Sequence, residues 1–334
     1  MANTRELRRR IKSIKNTSQI TKAMQMVAAT KMRRSQNQAI SGRPYEENLN
    51  FSVGTLLPKV DITTHPLLGS RHSEFISESK NREIPKQVRD DGSVVGVVLL
   101  STNKSLCGAL NTNLFRAVQQ KFGQDKDIKY FSYGLKGRNF VVRSGKTLEA
   151  DFESPEAVAF REARQISNLV RNAFLEGLVK EVYLAFPDFV STLRQEPRIV
   201  KLLPMDIESV IASAAKQSPD LSNRHSELDS ESQKQRSRNE FGMTKADKNG
   251  EFLFEPNVDE LLDFVLVHQL ETQIYQALLE TKASEHSARM MAMQNATDNA
   301  KELVEDLNLT YNQTRQAAIT NELLEITTAA AAME

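Results

Sequence analysis

Residues that suit a helix–helix interface recur every three or four positions near the N-terminus, which is the spacing of one face of an α-helix. The spacing lies within residues 3–57, where glycine or proline occurs only at Gly42, Pro44 and Gly54. The interface positions are Leu7, Ile11, Ile14, Thr17 or Ser18, Thr21, Met24, Ala28 and Met32. The pattern predicts one helix of about 80 Å, in which Gly42 and Pro44 are the expected places for a bend.

A second long helix is predicted from Asn257 to Ala332, directly after Pro256. No glycine or proline interrupts it, so its length would reach about 110 Å, well beyond a small domain. Such a helix must pack against another element, and the N-terminal helix is the obvious partner in an antiparallel coiled coil. Its predicted interface positions are Leu303, Leu307, Tyr311, Thr314, Ala318, Asn321 and Leu324. Because several of these are polar, unlike a regular dimerisation coil, we expect much of the pair to face other chains.

Between the two helices, short apolar runs alternate with amphipathic segments. Strands are predicted at 93–101, 128–133, 181–186 and 197–203, and helices at 109–122, 134–143 and 155–176. The last helix follows Ser154-Pro155, a favourable cap and first-turn pair. This alternation predicts an open, mostly parallel sheet with helices on its faces, a Rossmann-like α/β domain. The expected fold class is α+β or α/β, with a long antiparallel coiled coil of the terminal helices beside a central α/β domain.

Two polar segments divide the chain further. Residues about 70–92 and about 209–248 are rich in Ser, Glu, Arg and Asn, and the tetrapeptide at 71–74 recurs at 224–227. We interpret both as surface inserts. The predicted organisation is an N-terminal helix at 1–58, a connection with its insert at 59–92, the α/β domain at 93–208, an insert and connection at 209–250, and a short segment with the C-terminal helix at 251–334.

Charge is balanced overall but not along the chain. The chain has 44 basic and 43 acidic residues, a net charge of +1, so no global field favours nucleic acid or an anionic membrane. Residues 1–34 carry ten basic residues and one acid, whereas residues 298–334 carry seven acids and two basic residues. A nucleic-acid-binding arm is one alternative for 1–34. However, Ile11 and Ile14 alternate with the charges and aromatic residues are few, which favours packing against a partner helix.

No pattern typical of catalysis occurs. The chain has neither a G-x-x-x-x-G-K-[ST] phosphate loop nor a G-x-G-x-x-G after the strand at 93–101. Residues 104–108 follow that strand where a doubly wound sheet places a ligand, but we interpret them as a turn that needs Gly108. Cys107, the only cysteine, is predicted to be a buried structural residue, and His286 a packing or interface residue. Metal-ligand spacing is absent, so no catalytic site, cofactor or metal is expected.

Three separated segments carry long and specific motifs. Residues 11–29 read I-x-x-x-x-N-T-x-x-I-T-K-A-M-x-M-V-A-A. Residues 97–115 read VVLLSTNKSLCGALNTNLF, and the C-terminal helix contains SEHSARMMAMQNATDNA at 284–300 and YNQTRQAAITNELLEITT at 311–328. In this order the motifs resemble the γ subunits of F-type ATP synthases, and they span the chain except for the two inserts.

The resemblance implies a central rotor stalk without a catalytic site of its own. In that family the paired helices stand inside a ring of α and β subunits, and proton flow turns a ring of c subunits together with the γ foot. Each rotor angle then stabilises a different state of each β catalytic site. The implied partners are the α, β and ε subunits and the c ring. The implied location is peripheral, on the cytoplasmic face of a bacterial inner membrane and attached only through the complex.

Specific contact residues are also implied by the resemblance. Lys22 and Met24 match positions that face an acidic β-subunit loop. The rotor–stator contacts implied on the C-terminal helix are Arg289, Gln316 and Thr320, flanked by Arg315 and Glu322, and those to the c ring and ε are Phe252, Phe254 and Glu255. Taken alone, Met24 would be a packing residue and Arg289 a solvated one. The alternative for the whole chain is a non-rotary helical-hairpin scaffold protein.

Overall fold

The computed structural model describes residues 2–56, 66–68, 94–123, 127–205 and 258–331. Its two longest elements are the helices α1, Ala2–Leu56, and α5, Val258–Ala331. Their 55 and 74 residues correspond to about 80 Å and about 110 Å at 1.5 Å per residue. α1 remains helical through Gly42 and Pro44, and the prediction of two long terminal helices is confirmed. Both predicted inserts lie outside the described residues.

One face of α1 packs along α5. A regular alternation of four and three residues relates ten of its buried and half-buried positions: Leu7, Ile11, Ile14, Ser18, Thr21, Gln25, Ala28, Met32, Ser35 and Ala39. The hydroxyl oxygens of Thr21 and Thr297 are 2.7 Å apart, and Gln276 Nε2 donates to the Ala39 carbonyl at 3.1 Å. Since contacts on α5 move to lower numbers as α1 advances, the helices are antiparallel, as predicted.

The interface positions on α5 differ in part from the prediction. Beyond Thr297 the less exposed side chains are Ala300, Val304, Leu307, Asn308, Tyr311, Thr314 and Ala318. The prediction was wrong for Leu303, Asn321 and Leu324, because all three are exposed. Val304 occupies the position adjacent to α1, which turns Leu303 outward. Counting from the Thr21–Thr297 contact, each residue further along α5 lies opposite one residue earlier in α1. Thr314 is then level with Thr4, so Asn321 and Leu324 have no described α1 residue opposite them.

The remaining elements form a five-stranded α/β domain. In chain order they are β1 (Val95–Leu100), α2 (Leu110–Phe122), β2 (Ile128–Tyr133), α3 (Leu135–Arg143), β3 (Thr147–Phe152), α4 (Phe160–Leu175), β4 (Glu181–Phe189) and β5 (Gln195–Leu203). The strand order is β3-β2-β1-β4-β5. The first four strands are mutually parallel, and β5 is antiparallel to β4. The predicted open, mostly parallel sheet is therefore confirmed.

Besides ends of elements that differ by up to three residues, as at β4 and β5, two details of the domain differ from expectation. β3 was missed because its sequence, TLEADF, has no continuous apolar run; it is an edge strand whose side chains alternate between exposed and half-buried. The predicted start of α4 at Pro155 was wrong, since the helix begins at Phe160. Its first turn is capped by Glu162, whose Oε2 accepts a hydrogen bond from the Ala159 backbone N–H at 2.7 Å. This leaves residues 153–159 as a connection at the carboxyl edge of the sheet.

The sheet buries both of its faces. Val97 and Leu99 of β1 pack with α2 and α3 on one face. Val98 and Leu100 point to the other face, where they join α4 and a stretch of α5 that includes Leu266 and Leu270, both nearly inaccessible. Alternate side chains of a strand point to opposite faces, which accounts for the two clusters. α5 is therefore part of the coiled coil and of the domain core at once.

Candidate functional site

Met24 and Arg289, two of the implied rotor–stator residues, line one cavity of about 330 Å³. Lys22 lies beside it and is exposed. The cavity is bounded by α1, by α5 and by the connections that follow β1 and β3, which include Asn103 and Glu156. Since parallel strands end at the same edge of a sheet, the cavity lies over the carboxyl edge of the α/β domain.

The other implied contacts lie far from this cavity. Arg315, Gln316, Thr320 and Glu322 are exposed on the last part of α5. Arg315 is 26 residues beyond Arg289 in the same helix, which corresponds to about 39 Å. The structure thus places the rotor–stator candidates in two separate regions of the molecule. Phe252, Phe254 and Glu255 lie outside the described residues.

A buried ion cluster on α5 forms one wall of the cavity. Glu285 Oε1 accepts from Arg289 Nη2 at 2.9 Å, and Glu285 Oε2 lies 3.4 Å from Lys282 Nζ. The three side chains are only 5%, 11% and 8% exposed for Glu285, Arg289 and Lys282. Two cations therefore share a single carboxylate in a poorly solvated place.

Burial and charge act against each other on the titration of this cluster. Burial by itself raises the pKa of Glu285, but Lys282 and Arg289 outweigh it and hold that pKa below its ordinary value. Burial lowers the pKa of Lys282, and the attraction of Glu285 offsets this only in part. The neighbouring His286 is buried, its Nδ1 has no hydrogen-bond partner, and burial lowers its pKa to about 4. His286 is therefore neutral at pH 7.

α5 also covers the loop where a doubly wound sheet binds its ligands. Arg289 Nη2 donates to the Ser105 carbonyl at 3.4 Å, and Ala288 packs against Cys107 and Leu110. Gly108 has φ +57°, which confirms the interpretation of this loop as a turn that requires glycine. Cys107 is buried, as predicted, and burial raises the pKa of its thiol. The thiol is therefore a poor nucleophile at neutral pH.

A surface ion pair connects α1 to the sheet at the same place. Lys31 Nζ contacts Glu156 Oε1 in the connection after β3. The Lys31 ammonium, by hydrogen bond and by charge, holds the pKa of Glu156 below its ordinary value. Both side chains are substantially exposed, so the pair orients the connection more than it stabilises the fold.

Sequence reasoning found Arg289 only through the resemblance and missed its partners. Lys282, Glu285 and Arg289 stand at intervals of three and four residues, which place them on one side of a helix. That spacing could have indicated an ion cluster. Its burial could not have been predicted, because it depends on the packing of α1, α5 and the sheet edge.

Within the described ranges, no group of three or more His, Cys, Asp or Glu side chains is placed to hold a metal ion. No helix in that part of the chain has an apolar stretch long enough to cross a membrane.

Comparison with known proteins identifies the family. A family model described as "ATP synthase" matches residues 3–333. The ATP synthase gamma chain of Methylacidiphilum infernorum is 39% identical over 338 residues and covers 100% of both chains. The ATP synthase gamma chain of Opitutus terrae is 36% identical and covers 98% of each chain. The chain belongs to the ATP synthase gamma family.

Solved structures agree on the fold of this gamma chain. A chain of the rotor of the Euglena gracilis mitochondrial ATP synthase is 19% identical with a TM-score of 0.57, and the match covers 95% of this chain and 99% of that one. A chain from another rotational state of the Euglena enzyme gives a TM-score of 0.59 at 20% identity, covering 99% and 95%. Membership of the gamma family gives the chain the role of central-stalk subunit in an F-type ATP synthase.

Proposed function

We propose that the chain is the rotating shaft that couples c-ring rotation, driven by protons, to the conformational cycle of the β-subunit catalytic sites. The observation that carries this proposal is the end of α5. From Ala317 to Ala331 the helix continues for about 22 Å with no described α1 residue beside it. Ile319, Leu323, Leu324 and Ile326 are all about half exposed or more on this segment. Ile319, Leu323 and Ile326 are spaced by four and three residues and so share one face of the helix, and an exposed apolar face of this kind fits the inside of a surrounding ring better than free solvent.

The attachment of α5 to the domain suits the transmission of torque. Leu266 and Leu270 lie in the core of the α/β domain, and the same helix then continues as the coiled coil. Turning the domain therefore turns the helical pair as well. Because the pair is asymmetric, each angle presents a different surface to each β subunit and can stabilise a different state of it.

We further propose that the gamma chain contributes no catalytic group. The position above β1 where a ligand would bind is occupied by Ala288 and Arg289 of α5. The nearby Cys107 thiol is buried and its pKa is raised. ATP chemistry would then belong to other subunits of the complex.

The proposed partners are the α and β subunits around the coiled coil, and the ε subunit and c ring at the foot. Lys22, Met24 and Arg289 would contact the stator near the sheet edge, and Arg315, Gln316, Thr320 and Glu322 near the end of α5. Phe252, Phe254 and Glu255 would contact the foot partners. The proposed location is peripheral, on the cytoplasmic face of the bacterial inner membrane. The proposed domain boundaries stay as predicted, at 1–58, 59–92, 93–208, 209–250 and 251–334.

A single-molecule rotation experiment tests the shaft. Because Cys107 is only 3% exposed and its thiol pKa is raised by burial, a cysteine introduced at the exposed Lys180 would be labelled selectively. A bead attached there, on an immobilised complex with α and β subunits, is expected to rotate in one direction when ATP is added. The parent chain, which keeps Cys107 alone, is the labelling control.

Other outcomes would contradict the proposal in distinct ways. A complex that hydrolyses ATP while the bead stays fixed would favour the helical-hairpin scaffold. ATP hydrolysis by the purified gamma chain alone would contradict the absence of a catalytic site.

Substitution of Met24 tests the contact near the sheet edge. Met24 is half-buried in the cavity that also contains Glu285 and Arg289. Met24→Lys adds a cation on the surface expected to slide past an acidic β loop. An added ion pair would lower the free energy of the complex at some rotor angles by about 1 kcal/mol. We expect ATP hydrolysis to persist while ATP synthesis falls about fivefold.

Met24→Leu is the matched control, because it keeps an apolar side chain of similar size. It should retain both activities. An equal loss of synthesis in the Leu and Lys variants would mean that Met24 acts through packing, and the electrostatic explanation would be wrong. Synthesis and hydrolysis are measured on the same membrane vesicles.

A further inference from the structure

We infer that the cavity between α1 and α5 binds a small amphipathic anion, a monocarboxylate with an apolar body. The cavity has about 330 Å³ of space and lies half-open at the carboxyl edge of the sheet. That volume is at the lower end of the range of small-molecule sites in proteins. One wall of the cavity is cationic and the other is apolar, and together they define the ligand.

The wall formed by α5 has more positive than negative charge. Among the described residues, Lys282 and Arg289, each about nine-tenths buried, both form their ion pair with the carboxylate of Glu285. Lys104 adds a cation from the connection after β1, where its side chain is exposed at the rim. A buried cation without a full counter-charge is unfavourable, so an anion that enters the cavity would complete the cluster.

The negative groups at the cavity do not cancel this excess. Glu285 is already engaged by two cations, and Glu156 is paired with Lys31. His286 is neutral at pH 7 because burial lowers its pKa to about 4. Among the described residues, the lining therefore comprises four cations against two carboxylates.

The wall formed by α1 is apolar. Ala23, Met24, Val27 and Ala28 line it on successive turns of the helix. Met24 is half-buried and Val27 is 55% exposed, so their side chains are accessible from the cavity mouth. An inorganic anion would leave this wall unused, whereas an alkyl or aromatic body would cover it and remove apolar surface from water.

Binding of octanoate to the purified full-length chain tests the inference, with titration calorimetry as the readout. Octanamide has nearly the same shape without the charge, and acetate has the charge without the chain. We expect both to bind at least about tenfold more weakly than octanoate, since each lacks one of the two interactions. Lys104→Gln should weaken the binding of octanoate about fivefold, as expected for the loss of one charge at the cavity rim.

Two controls locate the site. Lys180→Gln removes an exposed lysine outside the cavity and should leave octanoate affinity unchanged. In methyl NMR spectra of methionine-labelled protein, octanoate should shift the Met24 signal, identified with Met24→Leu, but not that of Met205, which lies in the domain core.

The inference is overturned by any of several results. These are no octanoate binding, equal binding of octanamide, equal binding of acetate, or equal weakening by the Lys104 and Lys180 variants. Tighter binding of the peptide Ac-Ala-Glu-Ala-NH2 than of octanoate would assign the cavity to a protein side chain instead. Since binding is measured on the chain alone, failure here leaves the rotary function untouched, and failure of rotation leaves this site untouched.

Discussion

Replacing Glu285 by glutamine is expected to lower the free energy of unfolding by about 3–5 kcal/mol at pH 7, as for other broken buried ion pairs. The substitution preserves size but leaves Lys282 and Arg289 without the carboxylate that they share at 3.4 and 2.9 Å. All three side chains are close to fully buried, so water replaces the lost charge poorly. Urea unfolding of the purified chain, followed by circular dichroism, measures the change.

Two further variants make this prediction specific. Glu302→Gln makes the same change at an exposed position of α5 and should alter stability by less than about 0.5 kcal/mol. Adding Lys282→Met to Glu285→Gln removes one of the two cations left without a carboxylate. The double variant should recover part of the lost free energy of unfolding. A loss below about 1 kcal/mol for Glu285→Gln would show that the cluster behaves like a surface ion pair.

The contribution of Glu285 should also depend on pH. Its pKa is lower in the folded chain than its ordinary value of 4.5, so the folded state binds its proton less readily than the unfolded state. Its stabilisation is therefore complete above about pH 4.5 and is lost as the pH falls through the lower, folded pKa. The Glu285→Gln variant should lack this loss.

Acidification from pH 6.5 to 4 is expected to destabilise the chain by about 3 kcal/mol through His286 alone. Burial lowers the pKa of this histidine from 6.5 to about 4. The unfolded chain therefore takes up a proton in this range while the folded chain resists it. The contribution of His286 is fully present above pH 6.5 and is lost as the pH falls toward 4.

His286→Gln isolates this effect, because glutamine stays neutral throughout the range. The free energy of unfolding is measured at half-unit intervals from pH 7.5 to 4 for the parent and the variant. The difference between the curves should grow by about 3 kcal/mol, whatever the offset at pH 7.5. Parallel curves would mean that His286 is protonated as readily in the folded chain as in the unfolded one.

Local regularity explains what could be predicted from the sequence. The three-and-four spacing along α1 and the absence of glycine and proline in α5 are properties of single segments, and they predicted both helices to within one or two residues. The apolar runs of β1, β2, β4 and β5 likewise predicted the sheet. The three motifs predicted the family, and comparison confirmed it.

The predictions failed where the burial or the start of an element depends on contacts with another part of the chain. Leu303 and Val304 are equally apolar, and only the alignment of α1 against α5 decides that Val304 is buried. β3 has few apolar residues of its own and exists because β2 offers an unpaired edge. α4 begins at Phe160 and not at Pro155, because the Glu162 carboxylate caps the Ala159 N–H.

The candidate site shows the same division. The sequence by itself determined two long helices, an α/β domain between them and the family, since each rests on patterns within a segment. The tertiary structure alone decided that α5 covers the loop after β1, that Met24 shares a cavity with Arg289, and that Glu285 holds two cations out of water. Those facts depend on residues more than 100 positions apart meeting in space, because the packing of α1, α5 and the sheet edge decides how far a charge is removed from water.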